Sequence, residues 1–332
     1  MEIFYSLDEI TQQRGPSTVT VGSFDGIHRA HQELLRRVRE RAVEQGAFST
    51  AVTFDPHPVS VLAPEKAPRM LTPLPLKLEL LERSGIRRLL VLPFTLEFSR
   101  WSPAQFVEQV LVNALHAESV LVGDNFHFGF RQAGTPQVLA DLSSKFGFRT
   151  EILAKMFLRK KPVSSSQIRI LLELGNVPLA NRLLGHPFNI RGPIEPGLGI
   201  GTGQTVPTMN LGASSSLVPK AGVYITLARL SSDESGTAGI ARLSAPLRSV
   251  TNVGHRPTFG ERALGVETHL LEEWRGDKAS VLDVSFLYRL RDERKFDSAA
   301  QLKTQILRDI GRSQSYFRRL RRAGISLADS ES

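Results

Sequence analysis

The feature that most constrains this chain is a change of texture near Pro187. Before it, short β-branched or apolar runs alternate with segments whose apolar residues recur at helical spacing. Strand-like runs lie at 17–24 (STVTVGSF), 48–55, 88–94, 118–123 and 148–153. Helical patterns fall at 74–84, 103–115, 135–145, 165–175 and 177–184. A further helix runs through Leu34, Leu35, Val38 and Ala42 and stops at Gly46. Strand and helix at this spacing predict a parallel sheet covered by helices on both faces.

After Pro187 glycine and proline become dense, and the segments 221–230, 248–254, 266–271 and 280–290 read as short strands between turns. That pattern predicts an antiparallel barrel or sandwich. A closing helix opens at Ser298, with Gln301 three residues on as in a capping box, and carries Leu302, Ile306 and Ile310 as its apolar stripe. At 332 residues the chain has room for two domains. The expected boundary lies at 185/186.

The composition excludes several classes. With no cysteine there is no disulfide framework, thiolate metal site or thiol nucleophile. No apolar run reaches the ~20 residues of a membrane span, and the acidic start MEIFYSLDEI has no signal-peptide character. A cytoplasmic protein is expected. The net charge of +9 invites a nucleic-acid reading. However, the arginines at 36, 37, 39, 41, 318, 319, 321 and 322 fall on helical stretches without interleaved aromatics, which disfavours a base-stacking platform.

Two common nucleotide signatures are absent: there is no GxxxxGK[ST] loop, and the Gly-rich 197–203 stretch fails GxGxxG. A third device sits at the end of the first strand, in GSFDGIHRAH (Gly22–His31). Gly22 permits a tight turn and Gly26 a close approach of backbone to a ligand. His28 and His31 are expected in the first helical turn with both rings on one face, where a helix N-terminus favours phosphate. The same HxxH spacing would also serve as half a metal site or as plain surface. Its place after a buried strand favours phosphate. In the later region Thr208 and Asn210, two apart on an extended chain, offer hard oxygen ligands, although turn residues beside Pro207 look the same. Glu267 alternates with Val266 and Thr268 and shares a face with His269, which fits either a solvated strand face or a general base.

Four segments of the first region together resemble the bacterial bifunctional riboflavin kinase/FAD synthetase family: GSFDGIHRAHQ, TFDPHP (Thr53–Pro58), GDNFHFGFRQAG (Gly123–Gly134) and SSSQIR (Ser164–Arg169). The second region adds PTMN (Pro207–Asn210), PKAGVY (Pro219–Tyr224), NVGHRPTFG with VETHLL, and LRDERKFDS (Leu290–Ser298). The resemblance implies a Rossmann-like nucleotidyltransferase domain followed by an antiparallel β-barrel with a C-terminal helix. It implies that Gly22, Phe24, Asp55, Ser164 and Ser165 bind ATP, that His28, His31 and Arg169 act on its phosphates, and that Pro56, His57 and Asn125 line the flavin pocket. In the second domain it implies Glu267 as the base, Thr208 and Asn210 as ligands of Mg²⁺, and Arg291 covering the flavin. The expected reactions convert riboflavin and ATP to FMN, then FMN and ATP to FAD. The partners are therefore these small molecules, with no membrane and with homo-oligomerisation left open. The rival readings are a FAD synthetase whose kinase-like half only binds flavin, and a basic nucleotide- or RNA-binding regulator on a decayed scaffold. The chain departs from the family pattern at Ala30, where that pattern has glycine, and in GTGQTVPTMN, where Thr202 replaces an arginine.

Overall fold

The computed structural model describes residues 1–13, 15–195, 208–212, 216–232, 243–255 and 264–325. By internal contact the chain divides into two compact units, Met1–Ser164 and Ser165–Ser332.

In the first unit the order is β1 (Glu2–Phe4), α1 (Leu7–Thr11), β2 (Ser17–Val21), α2 (Arg29–Gln45), β3 (Phe48–Asp55), α3 (Pro58–Leu62), α4 (Leu74–Arg83) and β4 (Arg88–Pro93). There follow α5 (Pro103–Phe106), running into a π-helix at Val107–Ala114, then β5 (Ala117–Gly123), α6 (Pro136–Phe146), β6 (Arg149–Leu153) and a ribbon of β7 (Phe157–Leu158) with β8 (Lys161–Pro162). Six strands pair in the order β1-β4-β3-β2-β5-β6, and every pairing is parallel. The chain steps from β2 outward through β3 to β4, then crosses back to β5 and β6. The order therefore reverses between β2 and β5, and a ligand crevice is expected at their carboxyl ends.

The strands read as continuous apolar runs because both faces are covered. All five residues of β2 are buried. Val19, Val21, Val52, Leu90, Leu92, Val120 and Val122 pack with Phe106, Val110 and Leu111. Ala51, Leu89, Val91 and Leu121 pack instead with Leu34, Leu35 and Val38 of α2 and Leu78 and Leu81 of α4. The expected helix over 103–115 begins on a capping box of Ser102 and Gln105 and then widens into the π-helix, whose Leu115 N–H donates to Val110 O at 3.1 Å. Several arginines of the basic stretch on α2 are met by carboxylates: Arg36 by Glu33 and Glu40, Arg37 by Glu33 and Glu151, and Arg41 by Glu44 and Glu151.

The second unit opens with a helical pair, α7 (Ser165–Glu173) and α8 (Val177–Leu184). It continues with β9 (Phe188–Glu195), β10 (Met209–Leu211), β11 (Gly222–Ser231), β12 (Leu247–His255), β13 (Leu264–Leu270) and β14 (Val281–Arg291), and ends on α9 (Ala299–Arg322). The strands close into a barrel in the order β10-β13-β12-β11-β14-β9, all antiparallel. Closure decides between the expected barrel and sandwich. The inner face carries Phe188, Tyr224 and Phe286, with rings 5.2–6.1 Å apart, and a chain of buried hydroxyls. Thr226 bonds Ser249 and Thr251 at 2.8 Å, and Thr251 bonds Thr268 at 2.9 Å. Ile225 and Leu227, on the opposite face of β11, are covered by Phe317 of α9.

The expected boundary at 185/186 separates two functional domains, whereas the contact boundary falls before α7. The difference is the α7–α8 pair, which is bonded to the barrel. Asn181 Nδ2 donates to Phe286 O at 2.8 Å, and Asn181 Oδ1 accepts from the Phe188 N–H at 2.9 Å.

Candidate functional site

The loop that leaves β2 is tightly built. The Gly22 N–H donates to Val52 O at 3.0 Å, and a Cβ on Gly22 would meet the Phe24 ring at 3.3 Å. Phe24, Gly26 and Ile27 then adopt φ of 47°, 87° and 38°, a left-handed path that costs two of these residues strain. The path is held from outside. Both oxygens of the buried Asp25 accept backbone N–H groups, from Leu71 at 3.2 Å and Thr72 at 2.9 Å, while the Gly26 N–H donates to Thr72 Oγ1 at 2.8 Å. These three bonds staple the loop to the segment that leads into α4.

The histidines differ in one respect from expectation. His28 is not inside the helix but is its N-cap, with ψ of 169°, and its Nδ1 accepts the His31 N–H at 3.4 Å. The two rings stack 3.7 Å apart at 12°, and the Phe24 ring meets His31 edge-on at 5.2 Å. Phe24 itself is wholly buried, so its side chain supports His31 and offers no surface to a nucleotide. His31 Nδ1 is buried without a hydrogen-bond partner among the described residues. Burial first, then the neighbouring His28 and the Lys77 ammonium, hold the His31 imidazole well below its usual range. It is a neutral ring at pH 7.

The other expected residues of this unit also lie at strand ends. Asp55 and Pro56 are exposed at the end of β3, and His57 caps α3, its Nδ1 accepting the Val59 N–H at 3.3 Å. Asn125 follows β5, where a Cβ on Gly123 would lie 3.2 Å from its Oδ1. Beside these ends runs an aromatic cluster that the sequence reading did not single out. Phe54, Phe94, Phe98 and Trp101 follow one another at 5.0–6.1 Å, and Phe126 stacks on Phe128 at 5.2 Å. Its only sequence signal is the density of phenylalanine after strand ends. Ser164 closes the first unit; Ser165 and Arg169 are on α7, which opens the second.

In the barrel, register assembles residues that are far apart in sequence. Glu267 faces Asn210 on one side and Asn252 on the other, Asn210 also faces Glu195, and Val223 joins Asn252 to Arg291. Directly opposed residues share a face with Cβ atoms about 5 Å apart. Glu195, Asn210, Glu267 and Asn252 therefore form one transverse row, opposite in face to Thr268 and Thr251; Arg291 lies past Val223, where the register of β11 and β14 shifts. Asn210 is nearly buried, at 8% exposure, and Thr208 is exposed. Arg291 is engaged by α9: its Nε and Nη2 donate to Asp309 Oδ2 at 2.9 and 2.8 Å. Residues 196–207 and 256–263, including Pro207, Thr202 and part of NVGHRPTFG, lie outside the described residues. Among the described residues no group of three or more His, Asp or Glu gathers as an all-protein metal cage.

Two family models match the chain, FAD synthetase over residues 10–167 and riboflavin kinase over 184–317. The bifunctional riboflavin kinase/FMN adenylyltransferase of Pseudomonas fluorescens is 35% identical over 317 residues, covering 95% of this chain and 97% of its own. The chain belongs to this family. The Bacillus subtilis protein of the same name is 32% identical, covering 94% of this chain and 96% of its own. A solved structure from Streptococcus pneumoniae, described as a macrolide-efflux protein, superposes with a TM-score of 0.77 at 26% identity, over 94% of this chain and 98% of that one. No helix among the described residues is long and apolar enough to cross a membrane.

A riboflavin kinase/FMN adenylyltransferase is a transferase that joins two steps of flavin-nucleotide synthesis in one chain, and both domains are present here. In such an enzyme one residue of the first unit stands out that sequence reasoning missed. Lys77 of α4 is only 3% exposed, yet it carries a charge. It sits in an amphipathic helical pattern, LPLKLELLER, where a lysine reads as surface.

Proposed function

We propose that FMN is adenylylated at the histidine loop of the first domain, residues 1–185, and that riboflavin is phosphorylated on the Glu267 row of the second, residues 186–325. The observation that carries the first assignment is the stacked His28–His31 pair at a helix start, at the point where the strand order reverses. Gly22 lets the nucleotide approach the backbone. His28 and His31 donate hydrogen bonds to charge that develops on the α-phosphate and the departing pyrophosphate. The FMN phosphate is already anionic, so no strong base is needed and catalysis is positioning and charge stabilisation. Pro56, His57, Asn125 and the Phe54–Phe98 aromatics suit the flat apolar flavin. Asp55 suits the nucleotide, and the Ser164 hydroxyl suits its phosphates.

In the second domain Glu267 takes the proton of the riboflavin 5′-hydroxyl as that oxygen attacks the γ-phosphate of ATP, with ADP leaving. The Thr208 hydroxyl and the Asn210 amide oxygen are hard donors that fit Mg²⁺ shared with substrate phosphates, which needs no all-protein cage. The ion would neutralise phosphate charge. Arg291 holds β14 to α9 at the margin of that site. A cysteine-free chain suits the cytoplasm.

The assignment is tested by supplying riboflavin or FMN with MgATP and separating the flavins by chromatography. Glu267→Gln is expected to stop FMN formation from riboflavin while FAD still forms from supplied FMN. His31→Asn is expected to do the reverse. Loss of both reactions in either variant would refute the division of labour.

A further inference from the structure

We infer that the ammonium of Lys77 is a substrate contact of the adenylyltransferase: it engages the polyphosphate of ATP and then the pyrophosphate that leaves. The inference rests on the placement of that reaction at the histidine loop.

Four observations converge on it. Lys77 is 97% withdrawn from water, at 3% exposure, in a helix turn that begins where Thr72 bonds the histidine loop. Leu78, its neighbour on α4, packs in one cluster with Phe24 and Ile27 of that loop, so this helix is built against the loop. Lys77 interacts electrostatically with His31, Asp25 and Asp55. In the loop that this helix supports, His31 Nδ1 is buried with no partner among the described residues.

Two carboxylates attract this cation, and each is shared: Asp25 also accepts the amides of Leu71 and Thr72, and Asp55 is exposed to solvent. Burial accordingly pushes the Lys77 ammonium below its usual range despite the pull of the two carboxylates. A desolvated ammonium and an orphaned imidazole nitrogen are costly unless an anion completes the set. The anion that this site receives is a triphosphate. In the transfer, an oxygen of the FMN phosphate forms a bond to the α-phosphorus of ATP as the bond from that phosphorus to the bridging oxygen breaks. The electron pair departs with pyrophosphate. Lys77 keeps its proton throughout and offsets the charge that accumulates on the leaving group.

Lys77→Met and Lys77→Arg in the full-length chain test this. The readouts are KM for ATP, KM for FMN and the inhibition constant of added pyrophosphate, all in FAD formation from FMN. For Lys77→Met, loss of a charge-assisted contact is expected to raise KM for ATP and the pyrophosphate constant by about tenfold or more. KM for FMN should move less than about threefold, because that contact is not to FMN. Lys77→Arg, which keeps the cation, is expected to recover most of both. ATP and pyrophosphate constants at wild-type values in Lys77→Met would overturn the inference. So would equal losses for ATP and FMN that arginine fails to rescue, since a purely structural counter-ion of Asp25 gives that pattern. His31→Asn separates the premise from the inference. Intact FAD synthesis in His31→Asn removes the site itself, whereas loss there with an unaffected Lys77→Met removes only the role of the lysine.

Discussion

His31 shows how one side chain links stability to pH. Its imidazole titrates well below the ordinary 6.5 because it is buried beside His28 and Lys77. Below about pH 6.5 the unfolded chain binds a proton that the native chain refuses, so the stability this neutral ring contributes is present above that pH and declines as pH falls through it. The slope is at most about 1.4 kcal/mol per pH unit. In His31→Asn the fall in melting temperature of the first unit between pH 7 and 5.5 should be shallower than in the parent chain. Ala30 is the matching question at the next position. It stands half-buried in the first turn of α2, between the two histidines. Its departure from the family glycine is tested by Ala30→Gly, whose ATP dependence in FAD formation should tighten if the methyl crowds the nucleotide.

At the scale of elements, the staple between the β2–α2 loop and the approach to α4 bears the strained backbone. Thr72→Val deletes the buried hydroxyl that accepts the Gly26 N–H, at a cost of about 1–3 kcal/mol. Urea unfolding should report that loss. FAD formation should fall further than FMN formation, because the loop carries the histidines and not the kinase row. The barrel has a counterpart in Arg291 and Asp309. Asp309 is nearly buried and accepts from Arg291 and from Gln305 Nε2 at 2.8 Å. Asp309→Ala removes the buried acceptor of the guanidinium, which keeps its bond to Asp292 O, and should cost about 1–3 kcal/mol, seen as an earlier urea transition of the barrel. These elements were only partly legible. Strands β2–β6 of the first sheet and the helices α2, α4 and α6–α9 follow from periodicity and caps, within a few residues of their observed ends. β9 was hidden by its glycine and proline, and β10 is three residues long. Neither carries enough pattern to announce itself. The π-helix reads as an ordinary helix because its apolar spacing differs little over eight residues.

On the scale of the whole molecule, the proposed assignment puts the two activities on separate compact units, so they should be genetically separable. The matched pair Glu267→Gln and His31→Asn, assayed from riboflavin and from FMN, is the measurement. With either variant alone riboflavin should not reach FAD, while an equimolar mixture of the two should make it. Failure of the mixture while each variant keeps its remaining activity would mean that FMN does not pass through solution.

By itself the sequence determined the alternation of strand and helix, the shift to an antiparallel barrel, and the loop where Gly22, Gly26, His28 and His31 meet the end of β2. These depend on residues within one or two turns of each other, and local periodicity, caps and turn chemistry encode them directly. Only the tertiary structure decided that His28 caps the helix and stacks on His31, that Phe24 lies beneath them as core, and that Lys77 of α4 is buried. It also decided that Glu267 shares a row with Asn210 and Asn252. Each of these turns on which distant segment lies opposite. Strand register and helix packing settle that through long-range burial, which no local pattern in the chain carries.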